Sequence, residues 1–413
     1  MSKIKLKNFG PIKEGYQEDG GYMDIKKVTL FIGNQGSGKS TVAKVISTLT
    51  WMEKSMNRGD FSAPKSVKDF QKHFEFQSLK GYFKANTVID YYGDSYSINF
   101  NSEDGNYPII QKIESGNYTV PQIMYVPAER NFLSVIKNAT GVKGLPAPLF
   151  EFAEELKRGQ NEIDGEEINL PINGVKYKYD QQLDASFIIG NDFNVNLLVA
   201  SSGFQSLVPL FLVSMNLAQK INDEPQINSQ NFSVDQFMRM HDQIATILNN
   251  DIIPEAEKKM LIDEIESKFI NKAFVNIVEE PEQNLFPTSQ KEILYCLLEF
   301  NNLSAANKLI MTTHSPYLIN YLTLAVKAES LIDKSMNYKG KVGFQTAISE
   351  IVPWNSLLRA DDLVIYEFDE TNGSIIKLSN YNGIPSDENY LNEKMAEGNE
   401  LFGKLLDIQE LCQ

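Results

Sequence analysis

Three nearly continuous apolar segments interrupt an otherwise mixed sequence, and each is followed at once by polar residues. The segments are Lys27–Ile32, Ala273–Val278 and Lys308–Thr312. Apolar runs of this length are typical of strands that are buried on both faces of a sheet. Apolar residues then recur at helical spacing over about 40–52, directly after the first segment. The pattern therefore predicts an α/β fold with a mixed sheet.

The remaining patterns divide the chain into a core, two additions to that core and a tail. We predict that the core spans residues 1–325 and carries a mixed arm at 53–120 and a helical insertion at 222–272. We predict that residues 326–413 form a separate, acidic α/β C-terminal module.

Shorter patterns predict individual elements within this organisation. Alternating residues on either side of Asn372-Gly373 indicate a hairpin, because this dipeptide favours tight turns. The other predicted elements are a strand at Lys3–Phe9, strands within Val88–Phe100, a strand at Gln122–Pro127, helices at Val234–Asn250 and Pro254–Phe269, hairpin strands at Leu363–Phe368 and Ile375–Leu378, and a helix at Glu388–Leu406.

The charge balance argues against non-specific binding to nucleic acids. The net charge is −15, and the segment Asp361–Gln413 alone holds twelve acidic and three basic side chains. Non-specific nucleic-acid binding depends on an excess of Lys and Arg. The rest of the chain is closer to neutral, so the sequence leaves open a local basic patch that binds nucleic acid.

Other bulk features indicate a cytoplasmic protein. No apolar run reaches the roughly 18–20 residues that a membrane-spanning helix needs, so we expect no membrane contact. Two cysteines, Cys296 and Cys412, are too few for a disulfide framework, which is typical of a reducing compartment. The three histidines and two cysteines show no zinc-binding spacing, whereas a site for a hard cation remains compatible with the composition.

A glycine-rich loop follows the first apolar strand and precedes the predicted helix. Its residues are Gly33, Asn34, Gln35, Gly36, Ser37, Gly38, Lys39, Ser40 and Thr41. Glycines allow backbone N–H groups to converge on phosphates, while Lys39 is placed to reach the β- and γ-phosphates. The hydroxyl of Ser40 is the expected ligand of Mg²⁺. We therefore predict an ATP·Mg²⁺ site; the alternative is a glycine turn with an incidental lysine.

Two carboxylates stand at the end of the second apolar segment. We assign Glu279 to the metal and Glu280 to orientation or deprotonation of an attacking water molecule. The alternative is a solvated acidic turn after a core strand. The third segment is followed by a polar cluster that contains His314, where a sensor of the γ-phosphate is expected, although a lone histidine is more often structural.

Hydroxyl groups and a glycine open the apolar helix that begins near Ser201. Such residues at a helix N-terminus can bind phosphate, and Ser202, Gly203 and Gln205 are the candidates. The alternative is an ordinary serine cap. Because the loop around Lys39 already has its own helix N-terminus, a second cap suggests the nucleotide of a second copy of the chain.

In their order, these motifs resemble those of the ABC-type ATPases of the SMC and RecF-like branch. The closer resemblance is to the prokaryotic OLD-type (overcoming-lysogenisation-defect) ATPases of phage defence. The glycine loop resembles Walker A, Val275–Glu280 resembles Walker B, and Ser201–Gln205 resembles a degenerate signature motif. The segment Glu282–Pro287 resembles the D-loop, and His314 matches the switch histidine.

The chain also departs from the pattern of this family. Glu279 replaces the usual aspartate, and Phe204 replaces the second glycine of the signature. Glu129, in the segment Tyr125–Arg130, lies where the family has its Q-loop, and it is a further candidate for contact with the metal. The tail has Glu367 and Asp369 but lacks the later Asp-x-Asp of the Toprim nuclease found in full-length OLD proteins.

The resemblance implies an ATP-hydrolysing switch that works as a homodimer or higher oligomer. Two copies are expected to pair head to tail, with each nucleotide sandwiched between Walker A and the signature segment of the partner. Without a nuclease of its own, the chain is expected to control a separately encoded effector, for example a nuclease, in antiphage defence, as PARIS-type and Septu-type ATPases do. The alternatives are a nucleotide-dependent scaffold with little hydrolysis and a small-molecule P-loop kinase.

Overall fold

The computed structural model describes residues 2–61, 63–103, 107–114, 118–222, 234–250, 253–335 and 341–411. The strands are β1 (Lys3–Phe9), β2 (Gly15–Tyr16), β3 (Met23–Asp24), β4 (Val28–Gly33), β5 (Phe83–Tyr92), β6 (Tyr96–Asn101), β7 (Ile109–Lys112), β8 (Pro121–Val126), β9 (Glu167–Asn169), β10 (Lys176–Asp180), β11 (Ala185–Ile189), β12 (Asn194–Asn196), β13 (Ala273–Glu279), β14 (Lys308–Thr313), β15 (Leu363–Phe368), β16 (Ser374–Lys377), β17 (Asn380–Tyr381) and β18 (Ile384–Pro385). The helices are α1 (Lys39–Arg58), α2 (Val67–His73), α3 (Ala147–Glu162), α4 (Ser202–Asn222), α5 (Val234–Leu248), α6 (Glu255–Phe269), α7 (Pro287–Asn302), α8 (Pro316–Ser335), α9 (Lys341–Ser349) and α10 (Tyr390–Leu411).

A seven-stranded central sheet has the order β2-β16-β15-β4-β14-β13-β8. The five strands from β15 to β8 are parallel to one another. In this register Glu279 lies opposite Thr312, and Thr313 lies opposite Ile32. The carboxyl ends of β4, β13 and β14 therefore meet at one edge of the sheet, where ligands of open α/β folds bind.

The central sheet is buried on both faces, which explains its continuous apolar strands. In β4, Leu30 and Ile32 belong to the core beneath α3, α4, α7 and α8, whereas Phe31 belongs to the core beneath α1 and the N-terminal sheet. Successive side chains of a strand point to opposite faces, so both sets must be apolar. The predicted α/β class, with a mixed sheet and helical insertions, is confirmed.

Besides the two-stranded sheet of β17 and β18, the described part of the chain forms two smaller sheets. The first, in the order β3-β1-β5-β6-β7, joins the N-terminal strand to the arm predicted at 53–120. The second, in the order β12-β11-β10-β9, lies before α4 in the chain. The segment Val88–Phe100 forms two strands, as predicted. Helix α1 extends past the predicted end to Arg58 and stops at Gly59, whose φ of 73° is typical of a helix C-terminus.

The tail does not form a separate module, and this differs from the prediction for residues 326–413. Strand β15 lies inside the central sheet and pairs in parallel with β4, the strand that precedes the glycine loop. The predicted hairpin is present as β15 and β16. The N-terminal α10 residue Tyr390 donates its backbone N–H to Glu367 of β15 (2.9 Å), whereas the helix beyond Asn392 is largely exposed.

The insertion predicted at 222–272 contains α5 and α6, and residues 223–233 and 251–252 of it lie outside the described residues. In the part of the chain that the structure describes, no helix combines the length and apolar character that crossing a bilayer demands.

A candidate nucleotide site at the carboxyl edge of the central sheet

The glycine loop joins β4 to α1 through backbone conformations that favour glycine. Gly33 has a φ of 138° and Gly38 a φ of 104°. A Cβ atom on Gly33 would lie 2.4 Å from the carbonyl oxygen of Phe368 in β15, and one on Gly38 would lie 2.5 Å from Ile12 Cδ1. Both positions therefore exclude side chains, and the tail strand packs directly against the loop.

Lys39 is buried beneath this loop. Its Nζ donates hydrogen bonds to the carbonyl oxygens of Gly33 (2.9 Å) and Asn34 (2.8 Å). Burial lowers the pKa of Lys39 to about 8, and the nearby carboxylates, Glu280 first among them, oppose this shift. Carbonyl oxygens are weak partners for an ammonium group in comparison with phosphate. The lysine is thus placed where an anion would stabilise its charge.

Helix α1 begins at Lys39 without a side-chain cap, because its N-cap residue is Gly38. The first N–H groups of a helix lack partners within the helix and carry a partial positive charge. A phosphate group would satisfy them, and Ser40 and Thr41 belong to this first turn. The loop therefore fits the β- and γ-phosphates of a nucleotide.

The two carboxylates at the end of β13 lie in different environments. Glu279 is buried, and its Oε2 accepts a hydrogen bond from the backbone N–H of Ala128 (3.3 Å). The side chain of Glu280 is 36% exposed. Burial, and then the charge of Glu279, raises the pKa of Glu280. An elevated pKa of this kind is typical of carboxylates that act as bases.

The backbone of Glu280 adopts a left-handed conformation, with a φ of 44°. This conformation is unusual for residues other than glycine and costs of the order of 1–2 kcal/mol. The backbone N–H of Glu280 donates to the carbonyl oxygen of Thr312 in β14 (2.9 Å). The conformation turns the chain abruptly at the end of β13, next to the last residues of β14.

His314 follows β14 and lies beside Glu280. Its Nε2 is 3.6 Å from Oε1 of Glu280. Burial, together with the charge of Lys39, lowers the pKa of His314, so the imidazole is neutral at pH 7. The structure thus brings together Lys39, Glu280 and His314, which are far apart in the sequence.

Glu282 is a buried carboxylate to which the sequence analysis gave no individual role. Its Oε1 accepts hydrogen bonds from the hydroxyl of Thr313 and the backbone N–H of His314, both at 2.7 Å. Burial raises the pKa of Glu282. Glu282 therefore connects the turn after β13 to the turn that presents His314. Its place in the predicted D-loop segment was the available signal.

Arg130 is a second residue that the sequence analysis passed over. It follows Glu129 in the 3₁₀ helix Ala128–Ser134, and no part of its side chain is exposed. Its Nη1 donates to the carbonyl oxygen of Glu279 (2.7 Å) and its Nη2 to that of Glu280 (2.6 Å). Its acceptors are backbone carbonyl oxygens, which every residue has, so the sequence carried no signal for this role.

The candidate metal ligands do not form a cage of protein side chains. Within the described ranges no group of three or more His, Cys, Asp or Glu side chains is arranged to hold a metal ion. Mg²⁺ commonly binds through one or two carboxylates together with substrate phosphates and water. Ser40, Glu279 and Glu129 supply oxygen donors of this kind, and the negative charge of Glu129 contributes to the raised pKa of Glu280.

The signature-like residues begin α4. Ser202 is exposed, whereas a Cβ atom on Gly203 would lie 3.0 Å from the carbonyl oxygen of Asn284. The side-chain amide of Gln205 donates to the carbonyl oxygens of Leu197 (3.2 Å) and Leu198 (3.1 Å). The amide nitrogen of Gln205 is therefore engaged within its own chain. Among the three signature-like candidates, Ser202 offers an exposed hydroxyl.

No protein-family model matches the chain, and no curated protein matches it. Solved structures similar to it include the SMC head domain from Thermotoga maritima, with 12% identity, coverage of 92% of this chain and 98% of that chain, and a TM-score of 0.39. The Smc head domain bound to the C-terminal domain of ScpA, derived from Pyrococcus furiosus, has 12% identity, coverage of 97% and 100%, and a TM-score of 0.31. A dimeric bacterial ABC transporter cassette has 10% identity, coverage of 92% and 100%, and a TM-score of 0.24. All three TM-scores lie below 0.5.

Proposed function

We propose that this chain binds ATP with Mg²⁺ and hydrolyses the ATP to ADP and phosphate. The observation that carries the proposal is the meeting of three strand ends at one edge of the sheet. There the loop of Lys39, the carboxylates after β13 and the imidazole of His314 adjoin, with His314 Nε2 3.6 Å from Glu280 Oε1. A cation for the phosphates and a base for water are the groups that phosphoryl transfer to water uses.

Each group has a role that its environment supports. The residues from Gly33 to Thr41 hold the phosphates through backbone N–H groups and the ammonium of Lys39. Bound magnesium would neutralise charge on the β- and γ-phosphate oxygens, held by Ser40 and Glu279, with Glu129 as a further candidate. Glu280 orients the attacking water and takes its proton. The neutral imidazole of His314 can donate one hydrogen bond and accept another beside that water.

We further propose that the site is completed by a second copy of the chain. Ser202 is exposed in the first turn of the apolar helix α4. A head-to-tail pair would place this N-terminus against the partner's nucleotide, where the helix dipole favours phosphate.

The wider role follows only from the resemblance to OLD-type ATPases. We propose that nucleotide turnover controls a separately encoded effector, in antiphage defence and in the cytoplasm. The resemblance extends to Walker B, where Glu279 and Glu280 stand, and this favours a hydrolase over a small-molecule kinase.

The test is ATP hydrolysis by the purified full-length chain and by its Glu280→Gln variant. We expect the variant to lose about 100-fold or more in kcat, which is typical of the loss of a general base, and to retain ATP binding. Glu292→Gln, on the exposed surface of α7, is the matched control and should leave kcat unchanged.

Two further outcomes decide between the alternatives. Specific activity should rise with protein concentration if two copies share each nucleotide, and full activity in a strict monomer would exclude the sandwich. Equal turnover by wild type and Glu280→Gln would favour the nucleotide-dependent scaffold.

A further inference from the structure

Arg130 makes an unusual set of contacts for a buried cation. Besides the carbonyl oxygens of Glu279 and Glu280, its Nε donates to that of Ser206 in α4 (3.1 Å), and its Nη1 also donates to that of Pro127 (3.3 Å). All the acceptors are backbone atoms, and the side chain is completely buried. One guanidinium group thus binds three separate segments: the end of β8, the end of β13 and the first turns of α4.

This arrangement is costly for the folded protein. Burial lowers the pKa of Arg130 to about 10, and the charges of Glu282 and Glu280 oppose the shift. A buried charge is tolerated only when hydrogen bonds satisfy it, and an aliphatic residue of similar size would often be more stable. The position of the acceptors therefore points to a role beyond stability.

The carbonyl oxygens that Arg130 binds belong to the residues whose geometry the reaction needs. The carbonyl oxygen of Glu280 forms the shortest of the four bonds, at 2.6 Å, and the backbone of this residue is in the left-handed conformation. A fixed carbonyl oxygen restricts the rotation of the peptide and so the direction of the Glu280 side chain. Arg130 thus holds the backbone of the proposed general base through the carbonyl oxygens of Glu279 and Glu280.

A second contact joins the region after β13 to the start of α4. The side-chain amide of Asn284, in the turn after β13, donates to the hydroxyl of Ser206 (2.9 Å). The carbonyl oxygen of Asn284 also lies close to Gly203, at the distance where a Cβ atom would begin to collide. The start of α4 is therefore tied both to the end of β13 and to the turn that follows it.

We propose that Arg130 is a positioning residue that fixes Glu280 and the start of α4 in one relation to each other. This role depends on the hydrolysis and the pairing of copies proposed above. Glu280 acts on the chain's own nucleotide, whereas Ser202 at the start of α4 serves the partner's. Arg130 therefore links the two nucleotide sites of a pair through a single buried side chain.

Lysine cannot reproduce this set of bonds. Arginine presents five N–H donors in a rigid planar fork, whereas lysine has three donors on a single atom. A lysine at this position could bind one or two of the carbonyl oxygens but could not span from Ser206 to Glu280. Arg130→Lys therefore preserves the charge and much of the volume while it breaks the link.

The experiment compares wild type, Arg130→Lys and Arg130→Met as full-length chains. Arg158→Lys, at an exposed position of α3, is the matched control. For each chain we would measure thermal unfolding, the affinity for a fluorescent ATP analogue, and kcat, KM and the Hill coefficient for ATP. We expect Arg130→Lys to bind the analogue within twofold of wild type, to lose at least fivefold in kcat, and to show a Hill coefficient close to 1. The control should match wild type.

These measurements distinguish the positioning role of Arg130 from a purely structural role, and both of these from the proposed hydrolysis of ATP. A folded Arg130→Lys whose kcat falls less than fivefold, or whose kcat falls only in proportion to weaker binding, overturns the positioning role. If Arg130→Met does not fold, the Arg130→Lys data decide. Absence of hydrolysis by wild type would instead overturn the proposed function.

Discussion

At the scale of single residues, Lys39 shows how the glycine loop suits an anionic ligand. Its ammonium is buried and donates hydrogen bonds to the carbonyl oxygens of Gly33 and Asn34. These dipoles replace only part of the lost hydration, which is why burial brings its pKa down to about 8. A nucleotide brings negative charge to the same ammonium and must raise this pKa again.

The first prediction concerns the proton that Lys39 takes up. Above about pH 8 the free protein has lost this proton, whereas the complex with ATP retains it, so binding must consume protons and weaken as the pH rises. Calorimetric titration of ATP in buffers of different ionisation enthalpy should show greater proton uptake at pH 9 than at pH 7.5. Lys44→Met, on the same helix, should leave the uptake unchanged. Equal uptake at the two pH values would contradict the proposed role of the Lys39 ammonium.

At the scale of elements, a proline in α4 leaves one backbone carbonyl oxygen of the helix able to bind a neighbouring segment. Pro209 lies inside this helix and has no N–H group, so the carbonyl oxygen of Gln205 lacks its usual helical partner. The hydroxyl of Ser134 donates to this oxygen (2.8 Å) and joins the 3₁₀ helix of Arg130 to α4. The hydrogen bond that is missing within α4 is thus replaced by one from the neighbouring 3₁₀ helix.

We predict that Ser134→Ala lowers the free energy of unfolding by about 1–3 kcal/mol, because a carbonyl oxygen loses its partner in a largely buried place. Denaturant unfolding of the full-length chain measures this change. Ser330→Ala on the exposed side of α8 removes a comparable hydroxyl and should change the stability by less than about 0.5 kcal/mol. Equal effects from the two substitutions would show that the Gln205 carbonyl oxygen finds another partner.

The sequence predicts much of this site because its chemistry is local. Glu280 and His314 each follow an apolar strand directly, and Lys39 ends the glycine loop that follows another. Parallel strands bring such ends together. Arg130 could not be assigned in this way, since three of its four acceptors are backbone atoms that lie 76, 149 and 150 residues away along the chain. Every residue has a backbone carbonyl oxygen, so the sequence does not show which of them a buried arginine binds.

At the scale of the whole molecule, the tail was the main difference from expectation. The acidic composition after Asp361 suggested a separate module, yet β15 lies beside β4 and its Phe368 packs on Gly33. A strand that pairs with the centre of a sheet and one that starts a new sheet have the same apolar alternation. Only the pairing partner distinguishes them, and pairing over more than 300 residues of sequence is not visible in composition.

The last prediction compares two truncations. A chain of residues 1–325 lacks β15, so β4 loses one neighbour and both faces of the sheet near the glycine loop lose apolar cover. We expect it to be insoluble or unfolded. A chain of residues 1–392 loses only the exposed length of α10 and should keep its melting temperature within about 3 °C, because little apolar surface is buried there. Circular dichroism melts and ATP binding measure both chains. Soluble, ATP-binding 1–325 would show that the tail is dispensable to the core, as its composition alone suggested.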